Sequence, residues 1–135
     1  MSRLPVSLSV GDTLEPRDVG PITQTDIVRF AGAGGDFNPL HHDPGYAQGA
    51  GLSGVIAMGQ MQAGMLASWV SDRCHVEHLK SYSVRFSAPL FIGDTITFAG
   101  LVESVSDGIA ELSLSATVRD RTVITGRARV RCAVG

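Results

Sequence analysis

At 135 residues, with 44% hydrophobic and 18% charged side chains, the chain has the composition of one folded domain, which excludes a disordered or low-complexity protein. Eleven Lys and Arg against thirteen Asp and Glu leave a net charge of -2, so there is no electrostatic reason to expect nucleic acid as a partner. Cys74 and Cys132 stand far apart without metal-ligand spacing and are expected as reduced thiols of a cytoplasmic protein.

The opening "MSRLPVSLSVGDTLEP" has neither the apolar stretch nor the small-residue cleavage site of a signal peptide. Residues 22 to 33, "ITQTDIVRFAGA", place Ile22, Ile27, Phe30 and Ala31 on one face, with Thr23 and Asp26 spaced as a variant capping box, and predict a short helix that ends at the glycines. Asp43 followed by Pro44 predicts a second short helix with an N-cap and a first-turn proline. From Met58 to about Ser71, Met61, Met65, Leu66 and Trp69 recur at three- and four-residue steps among small residues, the pattern of a largely buried helix. Gln60 and Gln62 interrupt the apolar run there, so no membrane span is expected. A methionine-rich face of this kind serves first as adaptable packing.

Four segments with period-two alternation follow, at 78–90, 94–106, 108–120 and 122–134, separated by turn residues that include Gly93-Asp94, Asp107-Gly108 and Asp120-Arg121. In the last, Arg127, Arg129 and Arg131 share one face, opposite Ala128, Val130 and Cys132. That row is either a solvated sheet face or a contact for phosphate or an acidic partner. With an early strand, the elements predict a single α+β domain over 1–135, an antiparallel sheet wrapped around one long central helix. A sheet of this kind keeps an open edge, and a dimer that pairs the edge across a two-fold axis would cover it.

The chemistry is concentrated in "AGAGGDFNPLHHD", residues 31 to 43. Asp36 is either an Asx-turn acid bonded to its own backbone or a reactive carboxylate, and His41 either a satisfied loop histidine or its partner. Neighbouring side chains of an extended segment point opposite ways, so His42 is expected to face away from His41. Asn38 and Pro39 shape the turn, and Asp43 caps the next helix. No metal is expected, because Asp36, His41, His42 and Asp43 lack the helical spacing of a strong zinc motif.

The run from Gly35 to Asp43 resembles the GDxNPxHxD signature of MaoC-like hydratases and dehydratases, which include R-specific enoyl-CoA hydratases and 3-hydroxyacyl-ACP dehydratases. "SVGDTL" at 9–14 is similar to the family's opening strand, and "VRFSAPLFIGDTI" at 84–96 to its later Arg-Phe, Pro, Gly-Asp pattern. The resemblance implies a hot-dog fold and reversible hydration of trans-2-enoyl thioesters to (R)-3-hydroxyacyl thioesters, without cofactor or metal. Asp36 and His41 match the catalytic pair, and Gly59 matches the oxyanion donor, whose amide sits where a helix has unpaired N–H groups. Asn38, Met58 and Met61 fall on the substrate side, Asn38 chiefly as a shaper of the loop. Many relatives carry His-Gly-Met where this chain has Met58-Gly59-Gln60-Met61. The implied partners are an acyl thioester of CoA or acyl carrier protein and a second subunit, in a homodimer, a higher homo-oligomer or a heterodimer. Two alternatives stand beside this: a hot-dog acyl thioesterase, disfavoured by the lack of any acid from Met58 to Ser71, and one subunit of a heteromeric dehydratase.

Overall fold

The alternating second half of the chain folds as its pattern requires. In the computed structural model, which describes residues 2–134, strands β2 (Thr13–Val19), β3 (Leu79–Phe86), β4 (Ile96–Ser106), β5 (Ile109–Val118) and β6 (Arg121–Arg131) form one sheet in the order β2-β4-β5-β6-β3. All four pairings are antiparallel. Along β5, Ala110, Leu112, Leu114, Ala116 and Val118 are buried while the residues between them are not, so one face makes the core. The β4–β5 hairpin turns on Asp107 and Gly108, both at positive φ (53° and 73°), the two-residue geometry whose twist matches the flanking strands.

A two-residue β1 (Ser7–Leu8) pairs in parallel with β7 (Ala133–Val134) and ties the chain ends together, a contact the sequence pattern did not predict. The expected opening strand at 9–14 begins only at Thr13. Gly11, at φ 89°, turns the chain, and the Asp12 carboxylate accepts from the Ser9 amide at 2.9 Å.

The helical half supplies what the sheet wraps. Helix α1 (Gln24–Gly34) carries the expected capping box: Thr23 Oγ1 accepts from the Asp26 amide at 3.1 Å and Asp26 Oδ2 from the Thr23 amide at 2.9 Å. It ends at Gly35, whose φ of 72° suits a residue without Cβ. Helix α2 (Pro44–Gly49) is capped by Asp43 Oδ1, which accepts from the Tyr46 amide at 3.1 Å.

Helix α3 (Gly59–Cys74) is the central helix, with Leu66, Trp69, Val70 and Cys74 fully buried. Trp69 lies 6.1 Å from the Phe98 ring of β4 and donates its indole N–H to the Glu15 carbonyl at 3.0 Å, so its one polar atom is satisfied. A Cβ at Gly100 of β4 would lie 3.3 Å from both the Trp69 ring and Leu114, so the missing side chain lets the helix sit close to the sheet. On its other flank, Tyr82 Oη donates to the Ala63 carbonyl at 2.7 Å and fixes α3 to β3. Removing a ring buried as Trp69 is costs about 3–5 kcal/mol, a large part of the stability of a domain this size.

The last strand splits as predicted: Ala128, Val130 and Cys132 are buried, and Arg127, Arg129 and Arg131 are exposed. No helix among the described residues is long and apolar enough to cross a membrane.

Candidate active site

The glycine-rich end of α1 delivers the chain into a loop whose shape comes from its own side chains. Gly35 and Asp36 donate their amides to the Ala31 carbonyl at 2.8 and 3.2 Å, which fixes where Asp36 leaves the helix. Its carboxylate then divides its two oxygens. Oδ1 accepts from the Asn38 amide at 3.3 Å in an Asx turn, and Oδ2 lies 3.4 Å from His41 Nε2. The Asx-turn bond is thus present, and it orients the side chain so that the other oxygen faces the imidazole.

Asn38 Oδ1 accepts from the Leu40 amide at 3.0 Å and, with Pro39 behind it, starts a short 3-10 turn, Pro39–His41. That turn swings His41 inward, where the ring is buried, while Asp36 keeps 46% of its side-chain surface exposed. His41 Nδ1 stands 2.8 Å from the Ile56 carbonyl, which can only accept, so Nδ1 carries the proton. In the neutral ring the lone pair of Nε2 thus faces the Asp36 carboxylate. Two acceptors converge where one small donor, such as a water, can bond to both. Asp36 with its turn bond and half-exposed oxygen, and His41 with its fixed tautomer, form a pair able to hold a water and move its proton.

His42 is exposed, and its Nε2 lies 3.4 Å from the Phe37 carbonyl, outside the pair. Asp43 is occupied as a helix cap. Among the described residues, no three His, Cys, Asp or Glu side chains are grouped as metal ligands.

The second element of the site reaches it through the backbone. The Ile56 amide donates to the Leu40 carbonyl at 3.1 Å while its carbonyl holds His41, so the segment before α3 is bonded on both sides of one residue to the histidine loop. On its far side the Ala57 amide donates to the Leu90 carbonyl at 2.8 Å. Gly59, three residues after Ile56, opens α3, and Met58 at the N-cap makes no side-chain bond to the first-turn amides. These amides and the helix dipole favour negative charge at this point. A Cβ on Gly59 would lie 3.0 to 3.3 Å from the Phe86 ring, itself half exposed at the end of β3. The glycine thus also serves packing, and both readings of it have a structural basis.

Met58 and Met61 are buried. Met61 faces a groove of about 360 Å³ between α1 and α3, with Met65, Val19, Ile22 and Phe30 around it, and neither Asp36 nor His41 lines that groove. Two residues of the site escaped sequence reasoning. Ile56 acts through its carbonyl, which no side-chain pattern reveals. Gln24 donates its amide to the His41 carbonyl at 2.9 Å across 17 positions, and its place on the first turn of α1 is the only hint.

The family model described as MaoC like domain matches residues 6–123. The chain is 33% identical over 99 residues to the mitochondrial 3-hydroxyacyl-[acyl-carrier-protein] dehydratase of Arabidopsis thaliana, a match that covers 73% of this chain and 57% of that protein. It is 33% identical over 115 residues to an (R)-specific enoyl-CoA hydratase of Rhodospirillum rubrum, covering 81% and 78%. Among solved structures, the ChsH1-ChsH2 complex from Mycobacterium tuberculosis contains a chain that superposes with a TM-score of 0.83 at 25% identity, covering 93% of this chain and 98% of that one. The sheet wrapped around α3 is the α+β hot-dog fold that the motif implied.

Proposed function

Since the chain belongs to the MaoC-like family of hydratases and dehydratases, we propose that it adds water reversibly across trans-2-enoyl thioesters to give (R)-3-hydroxyacyl thioesters, or runs the same step as a dehydration. The observation that carries this reading is the pair of acceptors, Asp36 Oδ2 and His41 Nε2, 3.4 Å apart with His41 Nδ1 held by the Ile56 carbonyl. A water bonded to both loses one proton to the pair as its oxygen attacks the β carbon. The pair returns a proton to the α carbon, and the electron density pushed onto the thioester oxygen is met by the Gly59 amide at the head of α3. The dehydration uses the same groups in reverse. Asn38 holds the loop, and Met58 and Met61 provide apolar surface close to Gly59 in sequence.

The acyl group is carried by CoA or by acyl carrier protein, the two carriers named for the plant and bacterial relatives. Among the described residues β3 ends the sheet without a partner on its outer side, and pairing with a second copy or with a related chain would cover that edge. Gel filtration of the purified chain separates the dimer from an orphan half. A thioesterase reading fits less well, because the only acid of α3, Asp72, sits at its far end and pairs with Arg17 at 2.8 Å.

The test is the hydration of crotonyl-CoA followed at the enoyl-thioester absorbance. Asp36→Asn and His41→Ala are each expected to lower kcat by on the order of 10²–10⁴ while the fold and oligomer stay intact. Near-normal turnover by either variant, or release of free thiol by the wild type, refutes the assignment.

A further inference from the structure

Resting on this thioester reading, we propose that Arg85 and Arg127, on the sheet face turned away from α3, anchor the phosphate-bearing end of the thioester's carrier, a nucleotide phosphomonoester of the CoA type. Strand register builds the site. Ser83 of β3 and Ser113 of β5 flank Arg127 of β6, and Thr125 stands between Arg85 and Ser115 one step along. Arg85 and Arg127 are thus diagonal neighbours on adjacent strands, at a Cα spacing of about 7–8 Å, from which two flexible guanidinium groups can close on one phosphate. The small hydroxyl residues around them leave a concavity of about 500 Å³, lined by Ser83, Arg85, Ser113, Thr125 and Arg127.

Charge pairing leaves these two arginines unmatched, as it does Arg29, Arg119 and Arg131, but among the described residues these two line one concavity together. Arg3 pairs with Glu77, Arg17 with Asp72, Arg121 with Asp94, and on this same face Arg129 has Glu111 at 3.6 Å. Among the described residues, Arg85 and Arg127 have neither an ion pair nor a side-chain hydrogen bond, and both are exposed. The positions between the two hold the hydroxyls of Ser83 and Thr125, and on the far side of Arg127 the Ser113 hydroxyl donates to the Glu103 carboxylate at 2.9 Å. In a chain of net charge -2, a polyanionic substrate is repelled overall and needs such a local positive patch. The route to the reacting centre is short in sequence. Arg85 precedes Phe86, whose ring lies against Gly59 and which is the last residue of β3, so a flexible arm passes beyond the end of the strand without crossing the sheet.

The test uses the full chain and Arg85→Gln/Arg127→Gln in three measurements: equilibrium binding of adenosine 3′,5′-bisphosphate at low salt, and hydration of crotonyl-CoA and of the phosphate-free crotonyl N-acetylcysteamine thioester. The double variant is expected to bind the bisphosphate at least tenfold more weakly and to raise KM for crotonyl-CoA about as much at nearly constant kcat. Its kcat/KM on the phosphate-free thioester should move less than twofold, and Arg85→Lys/Arg127→Lys should restore part of the bisphosphate affinity. Unchanged bisphosphate binding, no binding by the wild type, or equal loss on both thioesters overturns the proposal. A wild type that binds the bisphosphate through these arginines and hydrates neither thioester overturns the catalytic reading instead.

Discussion

Gly59→Ala tests the oxyanion role proposed for the glycine at the head of α3 against its packing against Phe86. The new methyl carbon would stand 3.0 Å from Phe86 Cε1 and 3.1 Å from Cζ, against an ordinary carbon contact of about 3.5–4.0 Å, so the ring has to retreat by roughly half an ångström. Phe86 is 49% exposed and can swing toward solvent, which keeps the steric cost to about 1 kcal/mol. Alanine is favoured over glycine in helices by up to about 1 kcal/mol, which offsets most of that cost, and Tm should change by only a few degrees. Catalysis should respond far more. A methyl beside the amide keeps the thioester oxygen from its donor, and losing one such donor costs about 10²–10³ in kcat. Thermal melting and crotonyl-CoA hydration on the same preparation read both quantities. Activity within threefold of wild type would show that the Gly59 amide is not the oxyanion donor, and a fall of more than about 3 kcal/mol in stability would show that packing is its main task.

Two further outcomes follow from ionisation. The Arg3 guanidinium and backbone amide, bonded to Glu77 at 2.7–3.2 Å, hold the Glu77 carboxyl well below its usual value of 4.5. A depressed carboxyl pKa stabilises the fold above the unfolded value and loses this as pH falls, so the Tm difference between wild type and Glu77→Gln should be present at pH 7 and shrink steadily below about pH 4.5; a difference that persists in strong acid would contradict this. Burial pushes the Cys74 thiol up to about 11. In the native chain at pH 8, mass spectrometry after iodoacetamide should find Cys74 unmodified, and full alkylation only after unfolding; rapid native labelling would place this thiol at the surface.

The fold was legible wherever a residue's role depends on its neighbours in sequence. The capping box of Thr23 and Asp26, the Asp43-Pro44 start and the arginine row all express local periodicity or capping, and each stands where its pattern put it. The opening strand, expected at 9–14 from its likeness to the family's, begins only at Thr13, because Gly11 and the Asp12 side chain set a turn before it. The parallel β1–β7 contact joins residues more than 120 positions apart, and two-residue strands carry no periodic signal. At the candidate site, Asp36 and His41 stand side by side as the motif led one to expect, but their orientation was not legible. His41 takes its tautomer from the carbonyl of Ile56 and its placement from Gln24, both long-range contacts to backbone atoms. The Asx turn and a reactive Asp36 stood as rival readings, yet one oxygen makes the turn bond while the other faces His41, so the turn does not exclude the proposed role.

The two hydrogen bonds made by the single residue Ile56 have a consequence for how such a site diversifies. One backbone rung ties the histidine loop to the segment before α3, so among side-chain replacements at position 56 only proline, which lacks the amide donor, breaks its bond to Leu40. The methionines of α3 and the groove beside α1 share none of these bonds. Mutation can therefore reshape that groove without touching the backbone rung, which leaves the apolar surface of α3 and the histidine loop as separately adjustable parts of one small domain.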